Sequence, residues 1–239
     1  FQDHLLTHCD SELITPVVKT LASRASVSVA LNYDHGQEKK YLIKAIDDGF
    51  SSVMIDASRL DFENNIAMTK EIADYAHAHG ASAEGEIGCL GASEGGEFTG
   101  ESMYTDPKQA KEFFERTGID ALAISIGTSH GNYPEGMVPK FDIERLREIK
   151  RLTNAPLVLH GGSGSGEENI LNSVKNGINK INVGCDFMNA NRDAAAKLLR
   201  ENPEINYFDL IHQTEKESVG LVKYYIGLSG SAGKNKNFK

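Results

Sequence analysis

The sequence predicts a (β/α)8 barrel, a closed ring of eight parallel strands each followed by a helix. Three observations lead there. Short apolar runs alternate regularly with amphipathic stretches from about residue 26 to residue 200, and such alternation means a parallel sheet. The run Leu157 to Gly166, LVLHGGSGSG, reads as a strand buried on both faces that opens straight into a glycine-rich loop. Polar residues also gather at strand ends along the whole chain: Asp34 and His35, Asp56, Glu86, Ser129 and His130, His160 and Ser163, Asn182 and Asp186. An open sheet concentrates its site at one switch point, whereas a closed barrel lets every strand contribute. Six strands can be counted. Closure needs about two more, roughly 40–50 residues, so residues 1–239 read as one barrel domain lacking its N-terminal β-α-β portion.

In chain order, residues 11–24 place Leu13, Ile14, Val17, Val18 and Leu21 at helical spacing, with Asp10 or Ser11 as cap and Pro16 near the first turn. Residues 26–32 form a β-branched run ending at Tyr33, Asp34 and His35. A helix over 37–48 stops at Gly49, and a strand over 51–58 ends in Asp56. Residues 62–79 are amphipathic, with Ile66, Ile72, Ala73 and Ala76 inward. The strand 82–88 puts Glu84 and Glu86 on one face. A polar, glycine-rich loop covers roughly 89–105; loops this long are usually functional. The helix at 106–118 is punctuated by Asp106, Pro107 and Gly118. A strand at 119–127, a helix at 141–152, the LVLHGG strand, a helix at 167–176, a strand at 178–184 and a helix at 186–200 follow. The chain is then largely helical to about Ile226, and the terminal GSAGKNKNFK reads as frayed.

Composition narrows the function classes. Forty per cent hydrophobic and 25% charged residues suit a globular protein. A formal charge of -9 argues against nucleic acid or an anionic membrane as the main partner. The three cysteines, Cys9, Cys89 and Cys185, lack paired spacing and read as reduced thiols of a cytoplasmic protein. No apolar stretch is long enough to span a bilayer, and FQDHLLTHCD is no signal peptide.

Three junctions share one grammar: an apolar run, then a histidine directly before a glycine, at NYDHG, GTSHGNY and LVLHGG. A tight turn with a buried structural histidine accounts for any one of them. The repetition favours a functional mouth lined by His35, His130 and His160, and three neutral imidazoles with an open position make a catalytic zinc arrangement. His77 and His79 lie late on a helix, where a positive charge suits the dipole, and His4, His8 and His212 read as surface residues. Asp34, beside His35, is a candidate acid or base, as is Glu94 on the long loop. The loops GGSGSG and NVGCD follow adjacent late strands, where barrels commonly hold a phosphate on backbone N–H groups; Gly161, Ser163, Gly184 and Cys185 are the candidates.

These segments resemble the class II, zinc-dependent ketose-bisphosphate aldolases, in the tagatose- and fructose-bisphosphate branch. The matching stretches are VALNYDHG, SVMIDAS, AEGEIGCLG, YTDPKQAKEFFERTGIDALAISIGTSHGNY, LVLHGGSG, GINKINV and the terminal GSAGK, in the family's order over nearly all of residues 26–234. The resemblance implies a TIM barrel and reversible cleavage of fructose or tagatose 1,6-bisphosphate to dihydroxyacetone phosphate and glyceraldehyde 3-phosphate. It implies Zn2+ on His35, His130 and His160, with Asp56 and Glu86 serving an alternative metal position. It gives Asp34 the C4 hydroxyl proton and Glu94 the C3 proton. Asn182 would touch the enediolate. Gly131, Gly161, Ser163, Gly184 and Cys185 would form the phosphate cradle, beside a monovalent cation, Na+ or K+. The family forms dimers and tetramers. Departures from its pattern are NVGCD at 182–186, GASEGG around Glu94, and Asn32 where histidine is common; they bear on affinity and substrate choice.

The alternatives are a class II aldolase for another phosphorylated ketose, a Schiff-base aldolase using Lys180, a zinc hydrolase or deaminase, and a non-catalytic zinc-binding relative. Lys180 shares side-chain parity with Asn182 and can point inward. A Schiff base leaves the three strand-end histidines unexplained, and a hydrolase has no need of a two-loop phosphate cradle.

Overall fold

The computed structural model describes residues 9–88, 104–129, 131, 133 and 136–237. The elements are α1 (Ser11–Arg24), β1 (Asn32–Gly36), α2 (Lys39–Asp48), β2 (Ser52–Ile55), α3 (Phe62–Ala78), β3 (Ser82–Ile87), α4 (Pro107–Thr117), β4 (Ala121–Ile124), α5 (Ile143–Thr153), β5 (Leu157–Leu159), α6 (Glu167–Lys175), β6 (Ile178–Ile181), α7 (Cys185–Glu201) and α8 (Tyr207–Leu228), then a 3-10 turn at Lys234–Asn237. The six strands form one sheet in sequential order, every pair parallel.

The sheet is curled. Neighbouring strands lie about 4.8 Å apart, so β1 and the far edge β6 of a flat sheet would be about 24 Å apart. Instead the Asn182 Nδ2 just past β6 lies 3.2 Å from both carboxylate oxygens of Asp34 on β1. The six strands therefore form a half-barrel, consistent with the barrel class expected. Eight-strand closure lies beyond what the described residues contain.

Strand residues alternate between two apolar layers. Val53, Ile55, Leu122, Ile124, Leu157 and Leu159 pack outward against Leu42, Ile46, Ile72, Phe113, Leu146 and Ile149 of the helices. Met54, Ala123 and Val158 form a small inner cluster, with Ala121 against it. The same parity turns Glu84, Glu86 and Lys180 inward, since Glu84 pairs in register with Met54 and Ala121, Glu86 with Ala123, and Lys180 with Val158. Asp10, Asp61, Asp106, Asp142 and Asn206 cap α1, α3, α4, α5 and α8, each accepting a backbone N–H through its side chain. Such a cap stabilises by about 1 kcal/mol.

The expected elements are present with several corrections. Residues 26–31 are not strand; pairing with β2 begins at Asn32 and Ser52. The strands expected at 119–127 and 178–184 shorten to Ala121–Ile124 and Ile178–Ile181. Pro16 lies inside α1, not in its first turn. The apolar stripe of α1 is only partly buried: Leu13, Val17 and Leu21 are exposed and Ile14 packs against the core, while Ser11 and Thr15 are buried. The C-terminal stretch is tied down at Asn235, which donates to the Ser26 carbonyl and accepts from the Ser28 N–H. No helix among the described residues is long and apolar enough to cross a membrane.

Candidate active site

β1 delivers two adjacent side chains to the mouth of the half-barrel. Strand neighbours normally face opposite ways. Here the register with β2 slips between Tyr33 and Gly36, so β1 carries one extra residue there. His35 takes up the slack in a left-handed conformation, φ 51°. That conformation is costly for a residue with a Cβ and is found where a site demands it. Gly36 must follow, because a Cβ there would run into the Leu42 side chain and the Met54 carbonyl. Tyr33 stays in the outer core, while Asp34 and His35 both reach the site.

His160 follows β5 and is fully buried. Its Nδ1 lies 3.0 Å from His35 Nε2. The opposite nitrogen of each ring meets a carboxylate. His35 Nδ1 is 2.8 Å from Asp56 Oδ2, and His160 Nε2 is 2.8 Å from Glu84 Oε1. Ser58 donates to the other oxygen of Asp56, and Lys180 Nζ lies 2.6 Å from the other oxygen of Glu84. A chain of contacts thus runs Ser58–Asp56–His35–His160–Glu84–Lys180 across the mouth. Asn182 donates to Asp34 and lies 3.3 Å from His160 Nδ1.

The electrostatics follow from these partners. Burial works to raise the pKa of Asp34, but the charges of His160, His35 and Lys180 outweigh it and hold the carboxyl below its ordinary range. Burial works to lower His35, and the Asp56 hydrogen bond with the Asp34, Asp56 and Glu84 charges reverses that, leaving it raised. Asp56 is pulled down to about 2, against burial, by its hydrogen bonds to His35 and Ser58. Glu84 is lowered despite burial by His160 and Lys180. Glu86 is pushed well up by burial and by the Asp56, Glu84 and Asp34 charges.

Two sets of side chains bring ligand atoms within 4.8 Å of one another: Asp34, His35 and His160, and His35, Asp56 and Glu86. Both suit a divalent cation by donor chemistry. The first fits zinc, whose imidazole bonds are about 2.0–2.1 Å long and place two tetrahedral nitrogens about 3.3 Å apart. His35 Nε2 and His160 Nδ1 are close to that spacing, and their outer nitrogens are held by carboxylates, as metal-bound histidines usually are. In the second set, Glu86 Oε2 is buried with no hydrogen-bond partner among the described residues. A cation would satisfy it.

The glycine loops fold onto one another. Gly161, Gly164 and Gly166 all have positive φ. A Cβ on Gly161 would collide with the Ser129 backbone, so the loop after β4 lies directly against the loop after β5. Gly162 N donates to the Asn182 carbonyl, Asp186 N donates to Ser163 Oγ, and Gly164 N donates to Asp186 Oδ2, which also accepts from Tyr225 Oη. Gly184 is the N-cap of α7, without a side-chain bond, and Cys185 is its first residue, so these two of the expected cradle residues lie at a helix N-terminus, where anions are favoured. Gly131 has φ 93°, and the nearby Tyr133 Oη accepts from Ser129 N.

The structure thus brings together Asp34, His35, Asp56, Glu86, His160 and Asn182, with Gly161, Ser163, Gly184 and Cys185 on the neighbouring loops. His130 and Glu94 lie outside the described residues. From the sequence, Glu84 is placed on one face with Glu86 but given no role, and Lys180 stands only as a rival nucleophile. The signal was available in their parity: Glu84 and Lys180 both occupy inward positions of strands otherwise lined by Met54, Ala121, Ala123 and Val158.

The sequence model of the family described as fructose-bisphosphate aldolase class-II matches residues 1–234. The chain is similar in structure to the YdjI aldolase from Escherichia coli K12, with 32% identity and a TM-score of 0.81 over 97% of this chain and 80% of that one. It is also similar to a putative fructose-1,6-biphosphate aldolase from Coccidioides immitis, at 29% identity and TM-score 0.84 over 97% and 81% of the two chains. Fructose-bisphosphate aldolase from Campylobacter jejuni matches at 25% identity and TM-score 0.75, over 92% of this chain and 75% of that one.

Proposed function

The chain belongs to the class II fructose-bisphosphate aldolase family, and from that premise we propose that it cleaves fructose or tagatose 1,6-bisphosphate reversibly with the help of zinc. The observation that carries this reading is the facing pair His35 Nε2 and His160 Nδ1, flanked by Asp34. In this reading His35 and His160, with His130 as third ligand, hold the zinc. Zinc bound there supplies Lewis acidity to the ketose carbonyl and offsets charge that develops as the C3–C4 bond breaks. The set His35, Asp56 and Glu86 serves as an alternative metal position.

The remaining work falls to this chain's own side chains. Asp34, kept ionised by its neighbours, takes the proton of the C4 hydroxyl as the bond opens, and Asn182 holds that carboxylate by donating to both its oxygens. Glu94 returns a proton to C3 of the dihydroxyacetone phosphate half. Gly131, Gly161, Ser163, Gly184 and Cys185 cradle its phosphate, with Na+ or K+ beside it, so that phosphate binding energy orients the reacting carbons. The ion pair of Lys180 with Glu84 speaks against a Schiff-base route, which needs a free amine. The reading carries with it a cytoplasmic homodimer or homotetramer, which sedimentation of the purified protein tests.

Cleavage of both sugars by the full-length protein, before and after EDTA, tests the reading. It expects triose phosphate release that EDTA abolishes and zinc restores, and the ratio of the two rates names the sugar. Turnover that persists in EDTA would refute it, and zinc binding without cleavage of either sugar would point to another phosphorylated ketose or a non-catalytic relative.

A further inference from the structure

Glu84 has no part in the chemistry described so far, yet it is one of the most buried carboxylates among the described residues, 2% exposed. Its side chain crosses the half-barrel from β3 toward β5 and β6, over the small inward-facing residues Ala121 and Ala123 of β4. Both its oxygens are engaged, one by His160 Nε2 and the other by Lys180 Nζ. We infer that Glu84, anchored by Lys180, is a positioning residue that fixes the proton of His160 on Nε2 and so keeps Nδ1 unprotonated, able to ligate a metal ion. The inference rests on the zinc reading of the same cleft.

Hydrogen-bond direction sets the tautomer of His160. An ionised carboxylate only accepts, so the His160 nitrogen facing Glu84 must be the donor. In a neutral imidazole the other nitrogen is then the acceptor, and here it faces His35 Nε2. Asp56 imposes the same rule on His35 from the other side. With both rings neutral, the unprotonated His160 Nδ1 and His35 Nε2 consequently face each other across the metal position, with Asn182 Nδ2 3.3 Å from the former. Were the His160 proton to sit on Nδ1 instead, it would point at His35 Nε2 at 3.0 Å and form a His–His hydrogen bond that consumes both ligand lone pairs. Lys180 supplies the second anchor: a carboxylate held at both oxygens does not swing away from its histidine.

This makes an unusual forecast for Glu84→Gln. The Lys180 ammonium only donates, so it claims the amide oxygen. The amide NH2 is then turned toward His160 Nε2, which has to accept, and the proton moves to Nδ1. Lys180→Met added to Glu84→Gln releases the amide to flip and offer its oxygen to His160. The double variant is therefore expected to bind zinc more tightly than Glu84→Gln alone. A purely structural role predicts the reverse, since two lesions accumulate.

The test is zinc affinity of the full-length protein, measured by competition with a chromophoric chelator. Long-range 15N correlation spectra of the zinc-free protein report the His160 tautomer. Glu84→Gln is expected to weaken zinc 10–100-fold, as loss of such outer partners does, with the His160 proton on Nδ1. The double variant should recover part of that loss, and Lys180→Arg should bind nearly as the wild type does. Wild-type affinity in Glu84→Gln, or a double variant weaker than the single one, would overturn the inference while leaving the zinc reading intact. A wild-type protein that binds no zinc would overturn both. Lys180 is part-exposed, so Lys180→Met keeps the test alive should Glu84→Gln not fold. It is expected to weaken zinc a few-fold, and unchanged affinity would count against the inference.

Discussion

The inner face of β3 carries two carboxylates two residues apart, and their surroundings are opposite. Glu84, toward the barrel interior, has a donor on each oxygen and stays ionised. Glu86, nearer the mouth, leaves Oε2 without a partner among the described residues, looks onto Asp56, Glu84 and Asp34, and holds its proton to higher pH. Both are deeply buried, 2% and 3% exposed, so depth does not separate them. What separates them is the supply of donors. Lys180 and His160 reach Glu84 from β6 and β5, whereas Glu86 faces a cluster of acids. Under the proposed reading, the difference teaches that one carboxylate organises the metal ligands while the other keeps a proton until a cation replaces it.

Asp34 marks the scale against which the two glutamates are judged. In its proposed role of acid/base it should give the largest effect: Asp34→Asn is expected to lower kcat by about 10²–10⁴-fold with zinc still bound, read by steady-state kinetics at saturating zinc. Next comes the contrast itself. Glu84→Gln should cost the 10–100-fold in zinc affinity described above, and Glu86→Gln should leave affinity at the His35–His160 position within a few-fold. Equal losses in the two variants would dissolve the distinction.

Gly85, between the glutamates, points the other way. A Cβ there would sit 2.9 Å from Thr69 Cγ2 and 3.1 Å from both Ile119 Cδ1 and Phe113 Cε1. Gly85→Ala is expected to cost about 1–3 kcal/mol in denaturant unfolding with far less effect on zinc than Glu84→Gln. A collapse of zinc affinity in Gly85→Ala would mean that outer packing, not Glu84, sets the site.

The smallest effect is in the pH dependence of zinc-free stability. The folded-state pKa of Glu86 is raised, so its contribution is complete below the ordinary glutamate range and is lost as pH rises through the folded value. Wild type should lose thermal stability relative to Glu86→Gln as pH climbs above the ordinary glutamate range. Asp56 acts with the opposite sign. Its pKa of about 2 contributes stability above the ordinary aspartate range, and that is lost as pH falls toward 2. A melting-temperature gap between wild type and Glu86→Gln that stays constant with pH would contradict the assignment.

Much of this was legible in the chain because the signals are local. Asp106, Pro107 and Gly118 bracket α4, and the apolar runs of β2, β4 and β5 need burial on both faces. The strand-end clustering of Asp34, His35, Asp56, Glu86, His160 and Asn182 rested on a single rule of parallel sheets, and the fold brings them together. What the sequence concealed was non-local or conformational. Glu84 and Lys180 are 96 positions apart, and nothing short of strand parity links them. The bulge that turns Asp34 and His35 the same way is a backbone event with no sequence signature beyond Gly36. The periodicity of α1 located the helix but not the burial of its polar side, because burial depends on what lies beside it.

The most direct measurement is anomalous diffraction at the zinc edge from crystals of the zinc-loaded protein. The expected result is a peak bonded to His35 Nε2 and His160 Nδ1, with Glu84 still on His160 Nε2 and Lys180 on Glu84. A peak confined to His35, Asp56 and Glu86, or one bonded to His160 through Nε2 with Glu84 displaced, would contradict it.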